Sequence, residues 1–70
     1  MNTIIGILLY LQVIASPSTI TSSEIQRDRI RYHNQIEAIR VNPIQVNQIL
    51  HDFQPQIDNI IIIIDDSQMD

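Results

Sequence analysis

A mainly helical fold is predicted for this chain of 70 residues, and three features of its sequence predict it. Two stretches, at about 22–41 and 43–53, begin with helix-start signals and continue with apolar residues at helical spacing. A nearly continuous apolar segment precedes them, and a run of five isoleucines follows them. We therefore expect two consecutive helices, an apolar N-terminal segment and a short isoleucine-rich C-terminal strand.

The composition and the charge limit the classes of function. The chain contains no cysteine, which excludes disulfides and cysteine-based zinc sites. Its net charge of −4 disfavours binding to nucleic acid, because neutralising phosphates requires a basic surface. A domain of this size buries only about 60% of its unfolded surface. We therefore expect oligomerisation, a protein partner or a membrane to add stability.

Residues 1–15 form an apolar block without a charged side chain. Apolar residues are almost continuous there, so helical and strand periods cannot be distinguished. The block is shorter than the roughly 17–25 residues of a spanning helix. It matches the apolar part of a secretory signal, with Val13-Ile14-Ala15 at the position of a cleavage site. The sequence leaves open an anchor or signal-like segment and a buried element of a soluble domain.

Residues 16–23 are rich in Ser, Thr and Pro and are interpreted as a linker that leads to the first helix. Two overlapping capping boxes lie at its end, Thr21-Ser22-Ser23-Glu24 and Ser23-Glu24-Ile25-Gln26. Opposite charges three residues apart should pair along the first helix. The expected pairs are Glu24–Arg27, Asp28–Arg31 and Glu37–Arg40.

The boundary between the two helices is predicted at Asn42-Pro43. Proline disfavours helical geometry in the residue before it, so the first helix should end near Val41 or Asn42. Asn42 is a good N-cap, Pro43 suits the first helical position, and Gln45 completes a capping box. The second helix should then run to residue 53.

An apolar stripe runs through both helices. Positions 25, 29, 32, 36, 39, 43, 46, 50, 53, 57 and 60 alternate steps of four and three, and all but Arg29 and Pro43 are apolar or aromatic. This is the spacing of a heptad seam, interrupted by prolines. We interpret it as a surface for helix packing or for coiled-coil oligomerisation.

Residues 57–64 are predicted to form a strand, because β-branched side chains lose rotamer freedom in helices and fit a pleated sheet. The run has no polar face, so both of its faces need cover. In an alternative fold, of small α+β class, the two apolar ends pair as strands and the chain forms a β-α-α-β dimer. Residues 65–70 are an acidic tail.

The branched aliphatic run at residues 60–64 is followed by Asp65-Asp66-Ser67, and this arrangement resembles a SUMO-interacting motif. The resemblance implies that the segment adds as a strand to a sheet edge of the modifier, with the acidic flank against a basic rim. Residues 67–70 also look like an acidic-directed kinase site, and phosphorylation would make the flank more negative. An acidic, strand-forming peptide of the antitoxin kind would use the same physics.

Candidate catalytic and metal-binding residues are few. His33 and Glu37 are four residues apart, a spacing that could place two metal ligands on one helix face, but no third ligand follows in a known pattern. No serine or threonine lies in a nucleophile-elbow sequence. We therefore expect no catalytic residue, no metal and no cofactor.

The sequence thus predicts a small non-catalytic interaction or assembly subunit, associated with a membrane through residues 1–15. Residues 24–64 would bind a protein partner or a second copy. The alternative is a soluble dimeric regulator, antitoxin-like or similar to a SUMO-interacting peptide, located in the cytoplasm or secreted if 1–15 is removed. The residues expected to contact the partner are Ile36, Ile39, Val46, Leu50, Phe53, Ile60, Ile61, Ile62, Ile63, Ile64, Asp65 and Asp66.

Overall fold

Five helices and two strands make up residues 2–64, the part of the chain that this computed structural model describes. The predicted mainly helical class with a C-terminal isoleucine-rich strand is confirmed, and a second strand makes the fold a small α+β one. In chain order the elements are α1 (Asn2–Tyr10), β1 (Ser18–Thr21), α2 (Ser22–Arg31), α3 (His33–Arg40), α4 (Pro43–Asp52), α5 (Gln54–Asp58) and β2 (Ile60–Ile63).

α1 lies at the centre of the molecule, and it is a helix. Its residues Ile5, Ile7 and Leu8 are almost completely buried, and it contacts α3, α4 and α5. A helix that is apolar on all sides needs neighbours on several sides, and the three later helices provide them. The apolar block is therefore not the strand that pairs with the isoleucine run. Within residues 2–64, no helix combines the length and the apolar character needed to cross a bilayer.

The end of α1 is a Schellman motif, in which N–H groups beyond the helix bond back to its last carbonyls. The Val13 N–H donates to the Leu8 carbonyl at 2.9 Å, and the Gln12 N–H donates to the Leu9 carbonyl at 3.0 Å. Gln12 has a φ of 64°, the left-handed region that favours glycine. Because a glutamine is uncommon there, the sequence does not reveal this helix end.

β1 and β2 form a two-stranded parallel sheet. The register pairs Ser18 with Ile60 and Thr21 with Ile63. Parallel strands need a long connection between them, and α2, α3, α4 and α5 supply it. The strand that pairs with β2 therefore lies within the segment interpreted as a linker.

The isoleucine-rich strand is shorter than the predicted 57–64. Ile57 belongs to the short helix α5 and is buried in the core. Pro55 lies in the first turn of that helix, where its missing N–H costs nothing. The strand begins only at Ile60, after a C-cap at Asn59.

Both predicted helix starts are confirmed. The Thr21 hydroxyl accepts a hydrogen bond from the Glu24 N–H at 3.2 Å and is in contact with the Glu24 carboxylate at the same distance. At the second start, the Asn42 side-chain oxygen accepts a hydrogen bond from the Gln45 N–H at 3.3 Å, and Pro43 is the first helical residue. Each cap satisfies a backbone donor that the helix itself leaves unpaired.

The predicted helix 22–41 is instead divided at Tyr32, whose φ of −107° and ψ of 26° lie outside the helical region. The division has a packing consequence. Ile25 of α2 enters one core cluster, whereas Ile36 and Ile39 of α3 enter another. The predicted helix 43–53 is confirmed to within one residue, since α4 ends at Asp52.

The core consists of two adjoining clusters that are both built on α1. Gly6 faces α4 and α5, where an added Cβ would lie 3.4 Å from the Ile49 Cγ2 atom and 3.4 Å from the Ile57 Cδ1 atom. The helices are therefore too close for a large side chain at this position. The buried members are Ile5, Leu9, Ile20, Ile25 and Ile57 in the first cluster, and Ile7, Leu8, Ile36, Ile39 and Ile49 in the second.

Replacing Ile7 by alanine should lower the free energy of unfolding by about 2–5 kcal/mol, because Ile7 is 0% exposed and its truncation leaves a cavity. A core of this size supplies only roughly 3–5 kcal/mol, so much of the variant should be unfolded. Chemical denaturation followed by circular dichroism measures the change.

The matched control is Ile44→Ala. Ile44 is 79% exposed, so its truncation should change the free energy of unfolding by less than about 0.5 kcal/mol. Equal effects of the two substitutions would contradict the central position of α1.

Candidate functional site

The outer face of the small sheet carries isoleucines that the fold leaves uncovered. Ile61 is 62% exposed and Ile63 is 50% exposed, whereas Ile60 and Ile62 pack against the core. Successive side chains of a strand point to opposite faces. Four identical residues are thus divided into two that face inward and two that face outward.

The neighbouring strand extends this face. Thr19 pairs with Ile61 and Thr21 with Ile63, so these threonines lie beside the outward isoleucines. Ile64, which follows β2, is 71% exposed. We call the set Thr19, Thr21, Ile61, Ile63 and Ile64 the β2 surface. All five side chains are β-branched and three of them are isoleucines, a composition that suits contact with another extended chain.

One edge of β2 has no neighbouring strand within residues 2–64, because the sheet there contains only β1 and β2. A strand at the edge of a sheet presents N–H and C=O groups that can pair with another strand. The β2 surface therefore combines exposed apolar side chains with available backbone hydrogen-bonding groups.

Acidic residues flank β2 on both sides in the sequence. Asp58 precedes it, and its carboxylate accepts a hydrogen bond from the Gln54 Nε2 atom at 2.8 Å. Asp65 and Asp66 follow it, and no Lys or Arg occurs after Arg40. The sequence on either side of β2 is therefore acidic.

Recesses also lie elsewhere on the molecule. One of 630 Å³ borders α4, where the Tyr10 and Phe53 rings meet edge to face with their centroids 6.5 Å apart. Another of 670 Å³ lies along α2 and α3 and is lined in part by Arg29, His33 and Arg40. Within residues 3–64 no polar or charged side chain is buried. Neither recess therefore has the convergent, desolvated polar groups typical of a small-molecule site.

The predicted partner-binding residues are divided by the fold. Ile36 and Ile39 are buried in the core. A further group is partly buried and packs against the core, namely Val46, Leu50, Phe53, Ile60 and Ile62. The exposed members are Ile61, Ile63 and Ile64, and Asp65 and Asp66 lie outside the described residues. The helical stripe is thus used inside the molecule, and the outward half of the isoleucine run is what reaches the surface.

The two threonines of β1 are the surface residues that the sequence reading missed. A signal for them exists, because Ser18-Thr19-Ile20-Thr21 alternates polar and apolar residues and is rich in β-branched side chains. The proline and serines around it favour the interpretation as a linker instead. Four residues are too few for alternation alone to decide between the two.

Two polar pairs lie at the surface. Glu37 accepts a hydrogen bond from the Arg40 Nη2 atom at 3.0 Å, which is the predicted i,i+3 pair. The His51 Nδ1 atom lies 3.5 Å from the Asp52 Oδ1 atom. Throughout residues 2–64, no three His, Asp or Glu side chains are close enough together to hold a metal ion.

Comparison with protein-family models gives no match, and no curated protein or solved structure matches the chain. The function of this chain is therefore inferred from its own residues. The most informative of them are those of the β2 surface, because exposure, a free strand edge and acidic flanks coincide there.

Replacing Asp65 and Asp66 by asparagine should promote self-association through the β2 edge, because charges next to an edge strand oppose pairing between copies. Light scattering and sedimentation should detect larger species than in the wild-type protein. The matched control, Asp28→Asn with Asp52→Asn, removes the same charge from other parts of the chain and should keep the wild-type size. The same size for both double variants would contradict a guarding role for the flanks.

Proposed function

We propose that this chain is a non-catalytic protein-interaction module whose partner supplies an extended segment flanked by Lys or Arg. The segment pairs with the free edge of β2, and its outward side chains pack beside Ile61 and Ile63. One observation carries the proposal: an uncovered apolar strand edge has carboxylates on both sides of it in the sequence. Strand addition of this kind takes its affinity from main-chain hydrogen bonds and its specificity from side chains.

The apolar part of the contact is the larger source of affinity. Complete burial of an isoleucine side chain is worth about 1.5–3 kcal/mol, and Ile61 and Ile63 are each at least half exposed before binding. The acidic flanks contribute in a different way, because complementary charge accelerates association and discriminates between partners. Apolar contact and charge thus select a partner that is both strand-forming and basic.

A second copy of this chain is disfavoured as the partner at this edge. In an antiparallel pair of β2 strands, the residues before one strand face the residues after the other. Asp58 of one copy would then face Asp65 or Asp66 of the other, and like charges placed together are destabilising. This counts against the antitoxin-like or other dimeric regulator that pairs through β2.

The proposal uses one of three further expectations from the sequence, which concern a SUMO-interacting motif, membrane association and cellular location. The resemblance of residues 60–67 to a SUMO-interacting motif names one partner class with a basic-rimmed sheet edge, and it agrees with the charge argument. Membrane association through residues 1–15 is not part of the proposal, because the side chains of α1 fill the core. The cellular location stays a prediction from the sequence.

The proposal is tested by titrating the protein with a synthetic peptide of alternating Val and Thr flanked by Lys, using fluorescence anisotropy. The same peptide flanked by Glu is the comparison. We expect binding of the Lys-flanked peptide and none of the Glu-flanked one. Ile61→Thr with Ile63→Thr should weaken binding by at least about tenfold, because losing roughly 1.4 kcal/mol of apolar contact corresponds to that factor.

The matched control is Val41→Thr with Ile44→Thr, which removes exposed apolar groups from another part of the surface and should leave the affinity unchanged. Circular dichroism checks that all variants keep the helical signal. The proposal is wrong if the Lys-flanked peptide does not bind, or if the two peptides bind equally well. It is also wrong if the Ile61 and Ile63 substitutions leave the affinity as it was.

A further inference from the structure

A recess along α2 and α3 combines apolar and cationic side chains and takes no part in the proposed function. It has a volume of 670 Å³ and is lined by Ile4 of α1, by residues 26, 29 and 30 of α2 and by residues 33, 36, 37 and 40 of α3. Within each of the last two helices the lining positions recur at the helical spacing of three and four, so they share one face. We call this surface the α2–α3 recess.

The apolar part of the recess is formed by three isoleucines from three different helices. Ile36 is 3% exposed and Ile4 is partly buried, whereas Ile30 is 76% exposed. An aliphatic side chain that enters the recess therefore contacts a surface anchored in the core and removes Ile30 from water. Burial of this apolar surface favours binding.

The charged part of the recess has an excess of positive charge. Arg29 and Arg40 line it together with one carboxylate, that of Glu37, which accepts a hydrogen bond from the Arg40 Nη2 atom at 3.0 Å. Arg29 forms no ion pair within residues 3–64. It belongs to the apolar stripe and is exposed, whereas Ile25 and Ile36 of the same stripe are buried. The residue that interrupts the stripe therefore supplies an available guanidinium group to the recess.

The sign of this charge is opposite to that of the whole chain. The net charge is −4, and all four arginines lie within residues 27–40. An acidic segment is therefore repelled by the molecule as a whole and attracted only near these arginines, while the reverse holds for a basic segment. Binding of an acidic segment would thus report on this part of the surface and not on net charge.

The walls of the recess also select the conformation of its occupant. They belong to α1, α2 and α3, and the backbone groups in the middle of a helix are hydrogen-bonded within it. An extended segment would find no strand edge with which to pair, because none of the lining residues lies in a strand. A helix satisfies its own backbone groups and can lay an apolar face into such a recess. The recess therefore suits a helix better than a strand.

We propose that the α2–α3 recess binds an amphipathic helix of a protein partner, in which an aliphatic stripe is bordered by Asp or Glu. The aliphatic side chains contact Ile4 and Ile30, and the carboxylates pair with the guanidinium groups of Arg29 and Arg40. The recess shares no residue with the β2 surface. The chain thus has one site for a basic extended segment and another for an acidic helix.

The test is a calorimetric titration of the full chain with a synthetic peptide of about 20 residues, a length at which an isolated helix can form. The peptide carries Leu at helical spacing, Glu on both borders of the Leu stripe and Ala elsewhere, and the comparison peptide has Lys in place of Glu. The Glu peptide should bind at least about tenfold more tightly than the Lys peptide. Arg29→Gln with Arg40→Gln should weaken its binding by about threefold to tenfold, as expected for exposed ion pairs. Ile30→Thr should also weaken it, because apolar contact is lost.

The matched control is Arg27→Gln with Arg31→Gln. The pairs Glu24–Arg27 and Asp28–Arg31 that the sequence predicts are not formed within residues 3–64, so these arginines are as available as Arg29, but they do not line the recess. The control removes the same charge and should leave the affinity nearly unchanged at physiological salt, where distant charges are screened.

The proposal is overturned if the Glu peptide does not bind, or if the Lys peptide binds as tightly. Equal weakening by the control pair of substitutions and by the recess pair would also contradict it. The same holds for equal weakening by Ile61→Thr with Ile63→Thr, because this would place the helix on the β2 surface. A dimer of the free protein that dissociates in the Arg29 and Arg40 variant, measured by sedimentation, would assign the recess to a second copy. The peptide and the substituted residues differ from those of the β2 test, so failure here is independent of failure of the proposed function.

Discussion

The burial of α1 is the constraint on which the rest of the fold depends. Nine residues with apolar side chains on nearly every side can be placed in water only if other elements surround them. α3, α4 and α5 contact α1 and surround it. The chain breaks its helices at Tyr32 and at Phe53. The resulting helices are short, and a short helix can stay in contact with α1 along its length. Gly6 permits close contact with two of them.

This constraint also decides what remains on the surface. The apolar side chains of the helical stripe pack against the core that surrounds α1, so they are not exposed to a partner. The isoleucine run is covered on its inner side by the core and left uncovered on its outer side. A residue type typical of protein cores is therefore exposed at Ile61 and Ile63, and acidic residues precede and follow this strand in the sequence. The proposed interaction follows from this division of one run between two environments.

The elements that the sequence predicts correctly are those with a local chemical cause. The caps at Thr21 and Asn42 are examples, because a side chain satisfies a backbone group a few residues away. The break at Tyr32 has no such cause, since neither proline nor glycine lies there; it separates Ile25 in one core cluster from Ile36 and Ile39 in the other. The helical state of the first block could not be derived either, because an unbroken apolar run carries no period.

The candidate site illustrates the same limit. A run of identical residues does not reveal which of its members face outward, and shifting the register by one residue would exchange the two sets. The outward set is fixed by the pairing of Thr21 with Ile63, and β1 itself was not expected from the sequence. The isoleucine run was thus recognisable as a candidate site, whereas its exposed half required the tertiary structure.

Native-state hydrogen exchange of the α1 amides tests the central claim most directly. If α1 is the helix around which the others pack, the amides of Ile7, Leu8 and Leu9 should exchange only through global unfolding, with the highest protection in the chain. Their exchange should then depend on denaturant as strongly as the unfolding equilibrium does. Exchange of these amides at the rate of an unprotected segment, while α4 stays protected, would contradict the account.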